Sequence, residues 1–393
     1  MPIYCAGLFS NSMSDLASVV LPLWLAGLGY STPIIGLVVG ARHVLPLFFS
    51  IHGGALIDRL GARRVMLASA LASAIVLPLL PLEPFIAIIV VLQMLNGFAT
   101  ALSWIGAQAC FGRVLNGHPD YAGPFAFALR VGSFAGPPVA GLAFDLYGIW
   151  GGVAVLTSWA MGTYVSAWCL PPGRPLPHGQ RRVAIVDLMP RLSDYTAAVR
   201  LAAMPAMATV LMITVFRIAA SSIQDSFYPV YLRSIGLSAT QIGILITVSS
   251  AFAAAGALSV GRLTRHVSGM WLLIATTVGS IVFISVTPLF TSYWLLMIAA
   301  SLRGVCMGVS QPLMLSLLVG AAERNSQGLG ISLRTTANRC AAAVTPMAMG
   351  VVAAMVGLSA AFLLVGVALL GGVALVARHV QRPTQAGDDG GRS

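Results

Sequence analysis

LPLWLAGLGYSTPIIG, residues 21–36, returns 207 positions later as YPVYLRSIGLSATQIG, residues 228–243. Pro22 pairs with Pro229, Gly29 with Gly236, and Gly36 with Gly243. At the same spacing Gly54-x-Leu56 pairs with Gly261-x-Leu263, and Gly97 with Gly304. At a spacing of 209, Arg130, Pro137 and Gly141 pair with Arg339, Pro346 and Gly350. Collinear matches along both halves mark a duplicated unit. Around them the chain is a succession of apolar runs, each near the ~20 residues that a helix needs to cross hydrocarbon. Twelve can be drawn, at 4–28, 34–56, 64–82, 85–110, 125–146, 148–170, 203–231, 239–260, 270–289, 292–319, 328–352 and 356–377. The expected fold is an all-α membrane protein, with twelve transmembrane helices in two six-helix pseudo-symmetric bundles. Residues 1–172 form the first bundle, 173–200 a cytoplasmic linker, 201–380 the second bundle and 381–393 a disordered tail.

Composition supports a lipid-solvated chain. Of 393 residues 58% are hydrophobic and 8% charged, where a soluble globular chain carries roughly 25% charged residues. The net charge is +11, and all 22 basic residues are Arg. They cluster in short turns between apolar runs, which excludes a nucleic-acid surface and fits cytoplasmic loops. With both termini cytoplasmic, fifteen Arg fall on the cytoplasmic side and one, Arg233, outside; the other six, Arg42, Arg130, Arg217, Arg303, Arg334 and Arg339, lie inside spans. Pro171, Pro172, Pro175 and Pro177 open the linker, whose second part, 187–200, reads as a short helix on the membrane surface. The N-terminus has no basic region before its apolar run, so it is a first span and not a secretory signal. So short a leader points to a start upstream. The five cysteines, Cys5, Cys110, Cys169, Cys306 and Cys340, stand apart with no CxxC pair. They read as buried apolar side chains, without disulfides or a metal. No cofactor motif and no enzymatic constellation is present.

GGALIDRLGARRVML (53–67) follows the second span. It resembles the loop signature of the major facilitator superfamily, with Gly54, Asp58, Arg59, Gly61, Arg63 and Arg64 at its positions. The resemblance implies a gating contact in which Asp58 meets the N-terminal end of span eleven and locks one access state. A second stretch, Gly123-x8-Gly132-x3-Gly136-Pro137 with Ala140-Gly141, resembles the span-five motif of bacterial drug/proton antiporters in that superfamily. One departure stands against it: those antiporters often carry an Arg four residues before a span-four Gly, and here that residue is Gln93, before Gly97.

The resemblance also implies that spans one, four, seven and ten line a cavity. A charge at mid-bilayer costs about 2.5–3.5 kcal/mol on insertion scales, so polar residues in spans are functional candidates. Span one carries Asn11 and Asp15 on one face, span four Gln93 and Asn96, span seven Arg217, Gln224 and Asp225, and span ten Arg303. Spans five and eleven add Arg130, Arg334 and Asn338. Asp15, Asp225 and His43 are the proton-coupling candidates, and the other residues candidates for the substrate cavity. Six Arg against Asp15 and Asp225 in the interior of the spans favour an anionic or zwitterionic substrate. The reading is of a monomeric secondary transporter in a bacterial inner membrane, whose partners are a small molecule, protons and the lipid bilayer. It carries out proton-coupled efflux by alternating access. An importer or exchanger of organic anions, and a non-transporting assembly or sensing member of the family, are the alternatives.

Overall fold

The structure, a computed structural model, describes residues 1–115, 121–171, 204–321 and 327–381. The linker 173–200, its expected surface helix and the tail beyond 381 lie outside the described residues. All described regular structure is helical: α1 (Pro2–Gly27), α2 (Thr32–Ala41), α3 (Val44–Leu60), α4 (Ala62–Leu79), α5 (Ile86–Leu115), α6 (Ala122–Trp168), α7 (Pro205–Ser226), α8 (Tyr228–Ser234), α9 (Ala239–Leu263), α10 (Gly269–Ser285), α11 (Tyr293–Ala321), α12 (Gln327–Val356) and α13 (Leu358–Gln381).

Nine segments among the described residues are long and apolar enough to cross a membrane, against the twelve expected. The difference has three physical sources. Gly123–Trp168 is one segment of 46 residues, roughly twice what a bilayer needs. Gly148, at φ 62° and ψ −148°, breaks it in a conformation that only glycine adopts freely. The stretch Gly269–Ser285 is apolar but shorter. Helix α1 is absent from the nine because Asn11, Asp15 and the serines at 10, 12, 14 and 18 interrupt its apolar run.

Side chains that would be buried in a soluble fold face outward here. Leu258 is 88% exposed, Met355 79% and Trp294 70%. Such a surface is stable only against lipid, and the chain is a multi-pass membrane protein. Cys5, Cys169 and Cys340 are exposed, which corrects the expectation that they are buried, and no described cysteine forms a disulfide.

The duplication is visible in the packing. A Cβ on Gly97 of α5 would fall on the Arg42 carbonyl oxygen; a Cβ on Gly304 of α11 would fall on that of Ser249. These two contacts are 207 residues apart on both sides. The 3-10 turns Leu80–Leu82 and Thr287–Leu289 correspond in the same way. The α2–α3 break follows from Pro46, which lacks the N–H that would bond the Arg42 carbonyl. The break therefore falls at Arg42 and His43, in the middle of the span.

Residues 1–171 and 204–381 meet along two seams, α2 with α12 and α6 with α9. Both are built from glycine against backbone. Gly36 abuts the Pro346 carbonyl and Gly350 that of Thr32; Gly243 abuts the Pro137 carbonyl and Gly141 that of Ala239. Removing Cβ lets two helices approach to backbone contact. Pro138 leaves the Phe134 carbonyl without its helical donor, and the Thr247 hydroxyl donates to it across the seam at 2.8 Å.

Candidate functional site

Both seams lie towards the side away from the chain termini, and a cavity of about 460 Å³ begins where they end. Arg42, His43 and Arg339 stand at that boundary and line it, with Asn11, Gln93 and Asn96 further along its wall. The side chain of Gln93 is 1% exposed, and both its amide atoms lack a protein partner, as does Asn96 Oδ1. Buried polar groups are almost always hydrogen-bonded. These are placed to bond water or a polar ligand in the cavity.

Behind this wall is a charge cluster contributed by both halves. The Ser133 hydroxyl of α6 bonds Asp15 of α1, which lies within electrostatic reach of Arg42, Arg130 and Asp225. Asp225 of α7 in turn faces Arg42 and Arg303. Arg42 thus stands between a carboxylate of the first half and one of the second. Arg303 donates to the Gln224 side-chain oxygen and, at 3.0 Å, to the Ser249 hydroxyl. Buried charges persist only when paired or solvated. Among the described residues none of these Arg and Asp side chains is within ion-pair distance of another, so the attraction acts at longer range and depends on how the halves are apposed.

His43 lies 3.4 Å from an Arg339 guanidinium nitrogen through Nδ1. Arg339 therefore reaches across the α2–α12 seam, while its repeat mate Arg130 serves the Asp15 cluster. Arg217, Arg334 and Asn338 belong to neither group. Arg217 is 6% exposed, its Nη1 contacts Met307 Sδ at 3.8 Å, and the charge it feels is that of Arg334. Helical periodicity put Arg217 and Asp225 on one face, yet they meet different neighbours.

In the signature loop, Gly61 takes φ 86° at the α3–α4 turn. Arg63 donates from Nε to the Ala167 carbonyl at 3.2 Å and from Nη2 to that of Trp168 at 2.8 Å, capping the C-terminal end of α6. Arg64 is exposed. The side chains of Asp58 and Arg59, and the environment of Gly54, lie outside the described residues, as does the start of α12 at side-chain level.

The sequence reading missed Asp145. Its Oδ1 accepts from the Ala239 N–H at 2.9 Å, and its Oδ2 from the Thr240 N–H at 2.8 Å and hydroxyl at 2.7 Å. Arg233 is 3.5 Å away. A carboxylate of α6 thus caps the first turn of α9 across the seam. Position in the chain, at the end of an apolar run, gave no hint of this. Arg42 and Arg339 at the closed end of the cavity were also under-weighted, although both were visible as charges within spans.

A family model described as the Major Facilitator Superfamily matches residues 3–216 and, a second time, 210–393. The enterobactin exporter EntS of Salmonella choleraesuis (strain SC-B67) is 27% identical over 367 residues, 90% of this chain and 85% of that protein. EntS of Shigella flexneri is 25% identical over 408 residues, 98% and 93% of the two chains. Among solved structures, a point mutant of the nucleoside transporter NupG is similar at TM-score 0.79 and 15% identity, covering 96% of this chain and 98% of its own. A point mutant of a peptide transporter POT, in complex with sulfate, is similar at TM-score 0.75 and 14% identity, covering 96% and 93%. At such identity these structures speak for the fold alone.

Proposed function

The chain belongs to the major facilitator superfamily and is a membrane transporter of that type, and from this premise we propose that it exports a small molecule by proton-coupled alternating access across a bacterial inner membrane. In this reading twelve spans form two bundles, residues 1–172 and 201–380, with both termini and the linker cytoplasmic. The seams then close the outer side and the cavity faces the cytoplasm. The similarity to exporters supports the outward direction, and enterobactin is the first compound to try.

The observation that carries the coupling is the Arg42 position between Asp15 and Asp225. A proton on Asp15 removes one of the two negative charges whose field acts on Arg42. The cluster that holds the halves in one apposition then loses an attraction, and the other apposition gains relative weight. Gln93, Asn96, Asn11 and the Arg42–His43–Arg339 rim would receive the substrate. The excess of guanidinium at that rim favours a second reading, exchange of organic anions.

The test is flux of labelled enterobactin in proteoliposomes with an imposed pH gradient, for the wild type and Asp15→Asn. Gradient-driven flux is expected in the wild type and at least tenfold less in the variant, with gradient-free equilibration preserved. Wild-type flux indifferent to the gradient would remove proton coupling. Flux that requires a counter-anion on the opposite side would select exchange.

A further inference from the structure

The first half's wall of the cavity carries hydrogen-bond acceptors that the protein leaves unused. Gln93 and Asn96 of α5 both line the cavity and are 1% and 5% exposed. Gln93 Oε1 and Nε2 and Asn96 Oδ1 have no protein partner. Two hydroxyls of the same lining add to this character. Ser10 donates its proton to the Ala6 carbonyl at 2.6 Å, and Thr100 donates to that of Asn96 at 2.7 Å. Each is left with oxygen lone pairs alone for the cavity.

Buried polar groups are costly unless something bonds them. A carboxylate cannot serve these oxygens, because it only accepts. An ammonium donates, but Arg42 and Arg339 line the same cavity and repel it, and no carboxylate is among the described lining residues. Hydroxyls suit the wall. They donate to the oxygens of Asn96, Ser10 and Thr100, and they both donate to and accept from the Gln93 amide. The guanidiniums make the opposite demand, for a carboxylate. The two demands adjoin: Gly97, next to Asn96, packs on the Arg42 backbone. A cavity of about 460 Å³ is of the size that holds one small molecule.

We propose that the cavity selects a hydroxylated carboxylic acid, with its carboxylate towards Arg42 and Arg339 and its hydroxyls on the wall of Gln93, Asn96, Ser10 and Thr100. This deepens the functional reading above by naming a substrate class, and rests on that reading only for transport. Binding is read without transport, so each idea can fail alone.

The experiment titrates purified full-length protein in detergent with matched acids of equal carbon number, with thermal unfolding as readout. The pairs are lactate and propionate, gluconate and hexanoate, and quinate and cyclohexanecarboxylate. At least one hydroxylated acid is expected to stabilise the wild type saturably, at a half-saturating concentration at least tenfold below that of its deoxy partner, because a site built for hydroxyls rejects the analogue that lacks them. Gln93→Leu should narrow that ratio at least fivefold and leave the deoxy acid's binding unchanged. Without ligand it should melt no lower than wild type, since it deletes buried atoms that no protein group bonds. Asn96→Leu gives the same comparison should Gln93→Leu not fold. Flux of the tightest acid in proteoliposomes then tests transport separately: binding without flux keeps the site and removes the transport reading for that acid. The proposal is overturned if no hydroxylated acid binds saturably, if the deoxy acids bind as tightly, or if both Leu variants keep the wild-type ratio.

Discussion

The two seams began as copies of one contact and now do different work. In each, a glycine of one half sits on the carbonyl of a span-interior proline of the other: Gly36 on Pro346, Gly243 on Pro137. In each, a second glycine sits on the first turn of the opposing helix: Gly350 on Thr32, Gly141 on Ala239. The α6–α9 seam then adds Asp145, which grips the start of α9 with three hydrogen bonds. The α2–α12 seam has Ala354 at the corresponding place, and Pro33, which has no N–H, where the other seam offers Thr240. It keeps the Thr32 hydroxyl bond to the Gly350 carbonyl, 2.8 Å. It carries instead the Arg42, His43 and Arg339 rim. Duplication supplied the packing, and divergence made one seam a clasp and the other a place for charge.

The steepest way to break this symmetry is to fill a glycine. Gly36→Val and Gly243→Val should each disfavour the closed apposition by about 1–3 kcal/mol, the usual cost of overpacking, and by similar amounts. Distances between spin labels at Leu28→Cys and Ile235→Cys, exposed on the closed side, would report it. Unequal effects would mean that the two contacts are not equivalent. Asp145→Ala comes next. It should cost about 1–2 kcal/mol by loss of a helix cap, moving the closed fraction several-fold, and salt should scarcely rescue it because the exposed Arg233 pair contributes little. Grafting the clasp sharpens the comparison. Ala354→Asp alone should gain less, since Thr32 keeps the N–H that matches that of Ala239 but Pro33 offers none, whereas Ala354→Asp with Pro33→Thr should tighten the α2–α12 side further in the same label distances. Smallest are the lone hydroxyls. Thr247→Val should cost about 1 kcal/mol, because the Phe134 carbonyl that it serves is left without its helical donor by Pro138. Thr32→Val should cost less, and a reversed order would contradict the role given to Pro138.

The repeat, the apolar spans and the signature loop were all legible in the chain, because lipid permits few residue types on a helix surface and backbone contact permits only glycine. Gln93, Asn96 and Asn11 line the cavity. The partition of the charges was not legible. Arg217 and Asp225 share a helical face, yet eight residues of rise carry one towards Arg334 and the other towards Arg42. Arg130 and Arg339 are repeat mates that ended at different sites. Periodicity tells which residues look the same way; only the neighbouring helix decides what they see. Asp145 was invisible for a related reason, since its partner is the first turn of a helix 94 residues away in sequence.

Where main chain lies directly on main chain, parting the surfaces disturbs no long side chain and releases no rotamers. Such a boundary leaves natural variation little room for adjustment: a glycine there is kept, or the two faces no longer come together. Fine control of how readily the protein changes state must therefore fall to the polar trimmings at the rim, where one carboxylate more or less is tolerated.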